Sequence, residues 1–138
     1  MVTWHGIPLV GGAASGPLLV LEEPVSFWGG VDAETGEIRD PRHPQAGVVV
    51  TGSVLVTAEG RGSSSASTVL AEMIRTGRAP AALVLGRADA IIVLGAVVAS
   101  ELYGVVMPVV AVTDPVQNAP SGAGWASVTA EGVITVER

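Results

Sequence analysis

Cysteine is absent from this chain, and so is lysine. Without a thiol there is no disulfide framework, no thiolate nucleophile and no thiolate ligand for zinc or iron. Any iron–sulfur cluster therefore has to be held elsewhere. Without lysine there is no P-loop, which needs Gly-Lys-Ser/Thr, and the Gly60-Arg61-Gly62 segment lacks the third glycine of a dinucleotide-binding fingerprint. The seven basic residues are all arginine and face thirteen acids, and the resulting net charge of −6 argues against a nucleic-acid surface. Histidine occurs only at positions 5 and 43, with no clustered carboxylates beside either, which makes a poor metal site and a poor base for a serine hydrolase. Long hydrophobic runs are missing too: none approaches the roughly 18–20 residues that span a bilayer. No basic segment followed by an apolar core opens the chain, so a cytoplasmic location is the expectation.

What is present is small and apolar. Hydrophobic residues make up 49% of the chain and charged residues 14%, a composition far from disorder and rich for a soluble surface, so some of it is expected to meet a partner. A length of 138 residues suits one domain, 1–138, with a real core.

Pattern along the chain predicts alternating elements. Leu18–Leu21 reads as a strand, and Val48–Thr57, rich in β-branched residues, as a strand or a strand pair bent at Gly52. Val69, Leu70, Met73 and Ile74 share one face of a helix from about Ser64 to Thr76, with Gly77 as its stop. Ala81–Leu85 reads as a buried strand and Ile91–Leu94 as another, before Gly95 opens a small-residue helix to Tyr103. Val105–Val112 is a strand broken at Pro108. Trp125–Thr129 and Val133–Val136 flank Glu131-Gly132 as a hairpin. This order predicts a layered α/β domain. Between Val25 and Pro44 lie some twenty residues dominated by turn formers, a length that is often functional. Phe27 and Trp28 in that stretch are expected to lodge against the core or a partner.

The segment Gly60-Arg61-Gly62-Ser63-Ser64-Ser65-Ala66-Ser67 carries the most chemistry. Arg61 offers a donor fork matched to carboxylate or phosphate. Gly62 lets a ligand approach the main chain. Ser63 or Ser64 suits a helix N-cap, where unpaired amides and the helix dipole favour an anion. A flexible capped loop explains the same residues equally well. Asp40 and His43 can lie near this loop through the intervening strand, although Asp40 capping its own turn is an equal reading. Asp32 sits in an ordinary turn.

These segments carry a resemblance. Ser26–Asp32 (SFWGGVD), Thr35–Ile38, Asp40-Pro41-Arg42-His43-Pro44, Gly60–Ser67, Ala79-Pro80-Ala81-Ala82 and Gly95–Ala99 follow one another as in the small subunit, or swivel domain, of the aconitase X family. The resemblance implies a swivelling β/β/α domain with a mixed or barrel-like sheet and two or more helices. It also implies a cysteine-containing large subunit that carries the iron–sulfur cluster and most of the active site. Enzymes of this type take a proton from the carbon beside a carboxylate while the cluster iron accepts the departing hydroxyl. By resemblance the proton acceptor is Ser63. Arg61, Gly62, Ser64 and Ser65 contact a small anionic carboxylate substrate, and Trp28, Asp40 and His43 support the site. Aconitase itself has an arginine after its paired serines where this chain has Ser65 and Ala66, which leaves the carboxylate-gripping residue open. Family substrates are cis-3-hydroxy-L-proline and mevalonate 5-phosphate, and the Ser-Ser-Ser-Ala-Ser form of the loop favours the former. A non-catalytic anion-binding or assembly module is the alternative from another class.

Overall fold

The computed structural model describes residues 1–61, 63–120 and 123–137. Their elements, in chain order, are β1 (Val2–His5), β2 (Ile7–Val10), β3 (Ala14–Val20), β4 (Val54–Thr57), α1 (Ser64–Thr76), β5 (Ala82–Leu85), α2 (Ala90–Tyr103), β6 (Val109–Ala111), β7 (Trp125–Val128) and β8 (Val133–Glu137). The strand order is β1-β8-β7-β3-β4-β5-β6-β2. β3 through β6 pair in parallel, while β7, β8, β1 and β2 join antiparallel. β3 serves both halves: Ala14–Pro17 pair with β7 and Leu18–Val20 with β4.

β1 and β2 lie at opposite ends of this order yet only Gly6 separates them, so the sheet curls nearly into a barrel. Gly6 sits at the seam. Its N–H donates to Gly132 O at 2.9 Å, and a Cβ there would collide with Val110 Cγ1 and lie 2.6 Å from the backbone oxygen of Ala111.

Strand alternation divides the core. Val54, Val56, Ala82, Val84 and Val110 meet Ile134 and Val136 inside the curl, while Leu55, Leu83, Leu85 and Val109 face the helices with Leu70, Met73 and Ile92. β4 and β5 are buried on both faces, which is why they read as near-continuous apolar runs.

α1 forms as expected: Ser63 is its N-cap and Gly77, at φ 77°, its left-handed C-cap. The tail hairpin forms as expected too. Ile91–Leu94 does not form a strand. It is the first turn of α2, because Asp89 Oδ1 accepts from Ile91 N at 2.8 Å and Ile92 N at 3.1 Å and so starts the helix one residue later. Gly95 therefore lies inside α2, against α1. The Val48–Thr57 strand is confined to Val54–Thr57, since Gly52 at φ 75° turns the chain before it. The Val105–Val112 strand keeps only Val109–Ala111. β1, β2 and the first half of β3 are strands that pattern alone did not predict. Among the described residues no helix is long and apolar enough to cross a membrane.

Candidate active site

The Val25–Pro44 stretch has little regular structure but is firmly held. Phe27, Val31 and Ile38 are buried in the helix-side core, and the bridges Val31–Ile38 and Glu37–Val49 close its turns. Asp32 Oδ1 accepts from Glu34 N at 2.8 Å while its Oδ2 pairs with Arg39 at 2.8 Å, the ordinary turn expected there. Gly36 is required: at φ 77° it lets Thr51 Oγ1 come so close that any Cβ would collide with it.

His43 is a stitch in this loop. Its Nδ1 accepts from Gln45 N at 3.0 Å, which puts the ring proton on Nε2, 2.7 Å from Glu23 O. Gln45 continues the stitch by accepting from Glu22 N at 2.9 Å and donating to Val20 O at 2.9 Å. Both ring nitrogens of the buried His43 are thus occupied, and it anchors the loop to the chain just beyond β3.

A parallel bridge between Ser26 and Arg61 lays the aromatic-glycine segment alongside the head of α1. The two segments border a cleft of about 360 Å³ lined by Ser26, Trp28, Gly29, Gly30, Arg39, Asp40, Arg42 and Arg61, among others. Trp28 is 61% exposed, in contrast to its buried neighbour Phe27, and its backbone exchanges hydrogen bonds with the Ser26 hydroxyl. Asp40 Oδ1 accepts from Arg42 N at 3.0 Å and Nε at 3.3 Å, so Asp40 does cap its own turn. The Arg42 amide, aided by its guanidinium, holds the Asp40 carboxyl below the usual aspartate range. Asp40 is therefore an anion at the cleft wall and no proton donor near neutrality. Arg39 and Arg42 each have a carboxylate partner, whereas Arg61 has none among the described residues.

Beyond Arg61 the chain enters α1. Gly62 lies outside the described residues. Ser63, Ser64 and Ser65 are exposed. The Ser63 hydroxyl makes no capping bond, and no acidic residue in the first turn neutralises the helix dipole. Ser67, by contrast, is committed, donating to Ser64 O at 2.6 Å. Trp28, Asp40 and Arg61 thus share one cleft, Ser63–Ser65 follow it at the helix head, and His43 does not line the cleft.

Pattern reading did not find Asp89. Its carboxylate caps α2 and abuts Gly60, where a Cβ would lie 2.5 Å from Asp89 Oδ2, so the start of the serine loop is fitted against the head of α2. An acidic residue directly before an apolar run was the available signal. Among the described residues there is no group of three His, Cys, Asp or Glu able to hold a metal ion.

Known proteins resemble this chain in sequence and in fold. The cis-3-hydroxy-L-proline dehydratases of Hypocrea jecorina and Pseudomonas aeruginosa are 44% and 47% identical over 80% and 73% of the chain, which spans only 19% and 17% of their lengths. The phosphomevalonate dehydratase small subunit of Thermococcus gammatolerans is 39% identical over 69% of this chain and 72% of its own. In the crystal structure of holo-form Thermococcus kodakaraensis aconitase X, one chain superposes with a TM-score of 0.86 at 31% identity, covering 100% of both. Residues 3–136 match the aconitase X swivel domain. With the serine loop at the head of α1 and a full-length match in sequence and fold, the chain belongs to the aconitase X swivel-domain family.

Proposed function

We propose that this chain is the swivel subunit of an aconitase-X-type dehydratase, inactive alone, which lends a serine base to an active site completed by a larger, cysteine-containing subunit. The observation that carries this reading is the Ser63 hydroxyl: exposed, free of any capping bond, at the amide end of a helix and two residues from Arg61, which has no carboxylate partner among the described residues. Arg61 holds the substrate carboxylate. Ser63 Oγ, as the alkoxide, takes the proton from the carbon beside that carboxylate, and the electron pair released forms the double bond as the neighbouring hydroxyl leaves. A serine hydroxyl is a weak base, and the helix-end amides and Arg61 supply the positive potential that an alkoxide needs. Ser64 and Ser65 donate to substrate oxygens. Trp28 and Asp40 shape the cleft wall.

This chain offers no residues suited to an iron–sulfur cluster: it has no cysteine, and the described residues contain no cluster of other ligands. The cluster and the departure of the hydroxyl belong, in this proposal, to the larger subunit. The identities to the hydroxyproline enzymes favour cis-3-hydroxy-L-proline as substrate. Mevalonate 5-phosphate is the second reading, favoured by the reciprocal coverage with an archaeal small subunit.

The test is to reconstitute the chain with its larger subunit and follow both substrates by NMR. Turnover of cis-3-hydroxy-L-proline is expected, and Ser63→Ala should lower kcat by about 10²–10⁴-fold while leaving the melting temperature unchanged, since no cap bond is lost. A Ser63→Ala complex with undiminished turnover refutes the base. A complex that dehydrates neither compound points to the non-catalytic module.

A further inference from the structure

Apolar surface is left bare on the outer side of α2. The inner side, Ile92, Gly95, Ala96 and Ala99, packs into the core, and surface helices ordinarily turn polar residues outward. Here Leu94, Val97, Leu102 and Tyr103 stand out instead, with Leu94 50% and Leu102 68% exposed, and Val105 and Val106 extend the patch beyond the Gly104 cap. Glu101 is the one charged residue within α2. Between α2 and α1 runs a groove of about 610 Å³ lined by Ala71, Val98, Leu102 and Tyr103. Glu72 at its edge is neutralised by Arg75, whose guanidinium lies 5.9 Å from the centre of the Tyr103 ring. Contiguous exposed apolar surface of this kind marks an interaction site.

Two observations say what covers it. The groove begins at Ser67 and Thr68, so it opens one turn of α1 away from Ser63. In the relatives at 44% and 47% identity the matching stretch is 19% and 17% of the chain, so in those proteins a much larger body accompanies this domain. The one charged residue in the lining, Glu72, is paired with Arg75, so the walls fit an apolar surface and not a nucleic acid or an ionic ligand. We infer that the α1–α2 groove and the outer face of α2 form the surface on which the larger subunit seats an apolar segment, fixing that subunit over Ser63. This inference rests on the proposal that the chain works with such a subunit.

The experiment measures affinity for the larger subunit by calorimetry, using Leu94→Glu and Leu102→Glu. Both substitutions are at exposed positions, so the isolated chain should keep its circular dichroism and melting temperature. Should Leu94→Glu unfold the chain, the more exposed Leu102 carries the test. Affinity is expected to fall roughly hundredfold or more, because an unpaired charge is forced into an apolar interface. Ile7→Glu, at an exposed strand position that does not line the groove, should bind as the unaltered chain does. Undiminished affinity in Leu102→Glu, or an equal loss in Ile7→Glu, overturns the inference. So does an isolated chain that sediments as a dimer, becomes monomeric with Leu102→Glu and still binds the larger subunit normally. A complex that depends on Leu102 but dehydrates neither substrate supports the docking surface and removes the proposed activity.

Discussion

Gly95 is the position where helix packing and the candidate site are most tightly linked, and replacing it gives a graded test. A Cβ at Gly95 would lie 2.8 Å from Ser67 O, a backbone atom of α1, and 3.3 Å from Leu70 Cβ and Cδ2. The contact is therefore with main chain, which cannot swing aside as a side chain would. In Gly95→Ala the intrinsic gain in helix propensity, about 1 kcal/mol, opposes an overpacking cost of about 1–3 kcal/mol. The net loss is about 0–2 kcal/mol. In Gly95→Val the propensity gain shrinks to a few tenths while two more methyls enter the same gap, so the loss rises to about 2–3 kcal/mol or more. For a chain of 138 residues each kcal/mol moves the melting temperature by about 3–5 °C, so Gly95→Val should melt about 6–15 °C lower. Differential scanning calorimetry on the two variants, with Val97→Ala on the exposed side of α2 as control, reads this directly. Amide shifts of Ser63–Ser65 should move in Gly95→Val, because Ser67 is one turn away. Were Gly95→Val to melt at or above the parent temperature, the close approach of α1 and α2 would be wrong.

Asp89→Ala removes the acceptor for two amides at the head of α2 and should cost about 1 kcal/mol in urea denaturation, with Asp89→Asn recovering most of it. Gly104→Ala meets no neighbour within 4 Å but forces an alanine to φ 68°, so a loss of about 1 kcal/mol or more is expected from backbone strain alone; a neutral result would refute the cap. The Asp40 carboxyl is held below its ordinary range, so its contribution to loop order is complete above the ordinary aspartate pKa and is lost only as pH falls through the lower folded value. The Arg42 amide resonance should accordingly stay constant across neutral and mildly acidic pH and shift only in strong acid. A shift near neutrality would contradict that pairing.

Local chemistry was legible where it settled the outcome. The start of α1 at the serines, its stop at Gly77, the tail hairpin and the β-branched central strands each depend on residues adjacent in the chain. The absences were equally legible: a chain without cysteine or lysine offers no thiolate ligand and no P-loop in any fold. Ile91–Leu94 was misread because a short apolar run has the same pattern in a buried strand and in a helix apolar on all sides, and the Asp89 cap decided between them. His43 carried no local sign of its role, since its partners Glu23 and Gln45 bind it through backbone groups.

Only the tertiary structure decided which candidates meet. Ser26 and Arg61 are far apart in the chain, and their bridge is what sets Trp28, Asp40 and Arg61 around one cleft. Closure of the sheet at Gly6 and the spare apolar face of α2 are likewise long-range results. Hydrophobic pattern specifies that a face is buried or bare, but it is non-directional and does not name the partner. Backbone pairing and close contacts at Gly36, Gly60 and Gly95 are directional, and they selected the arrangement.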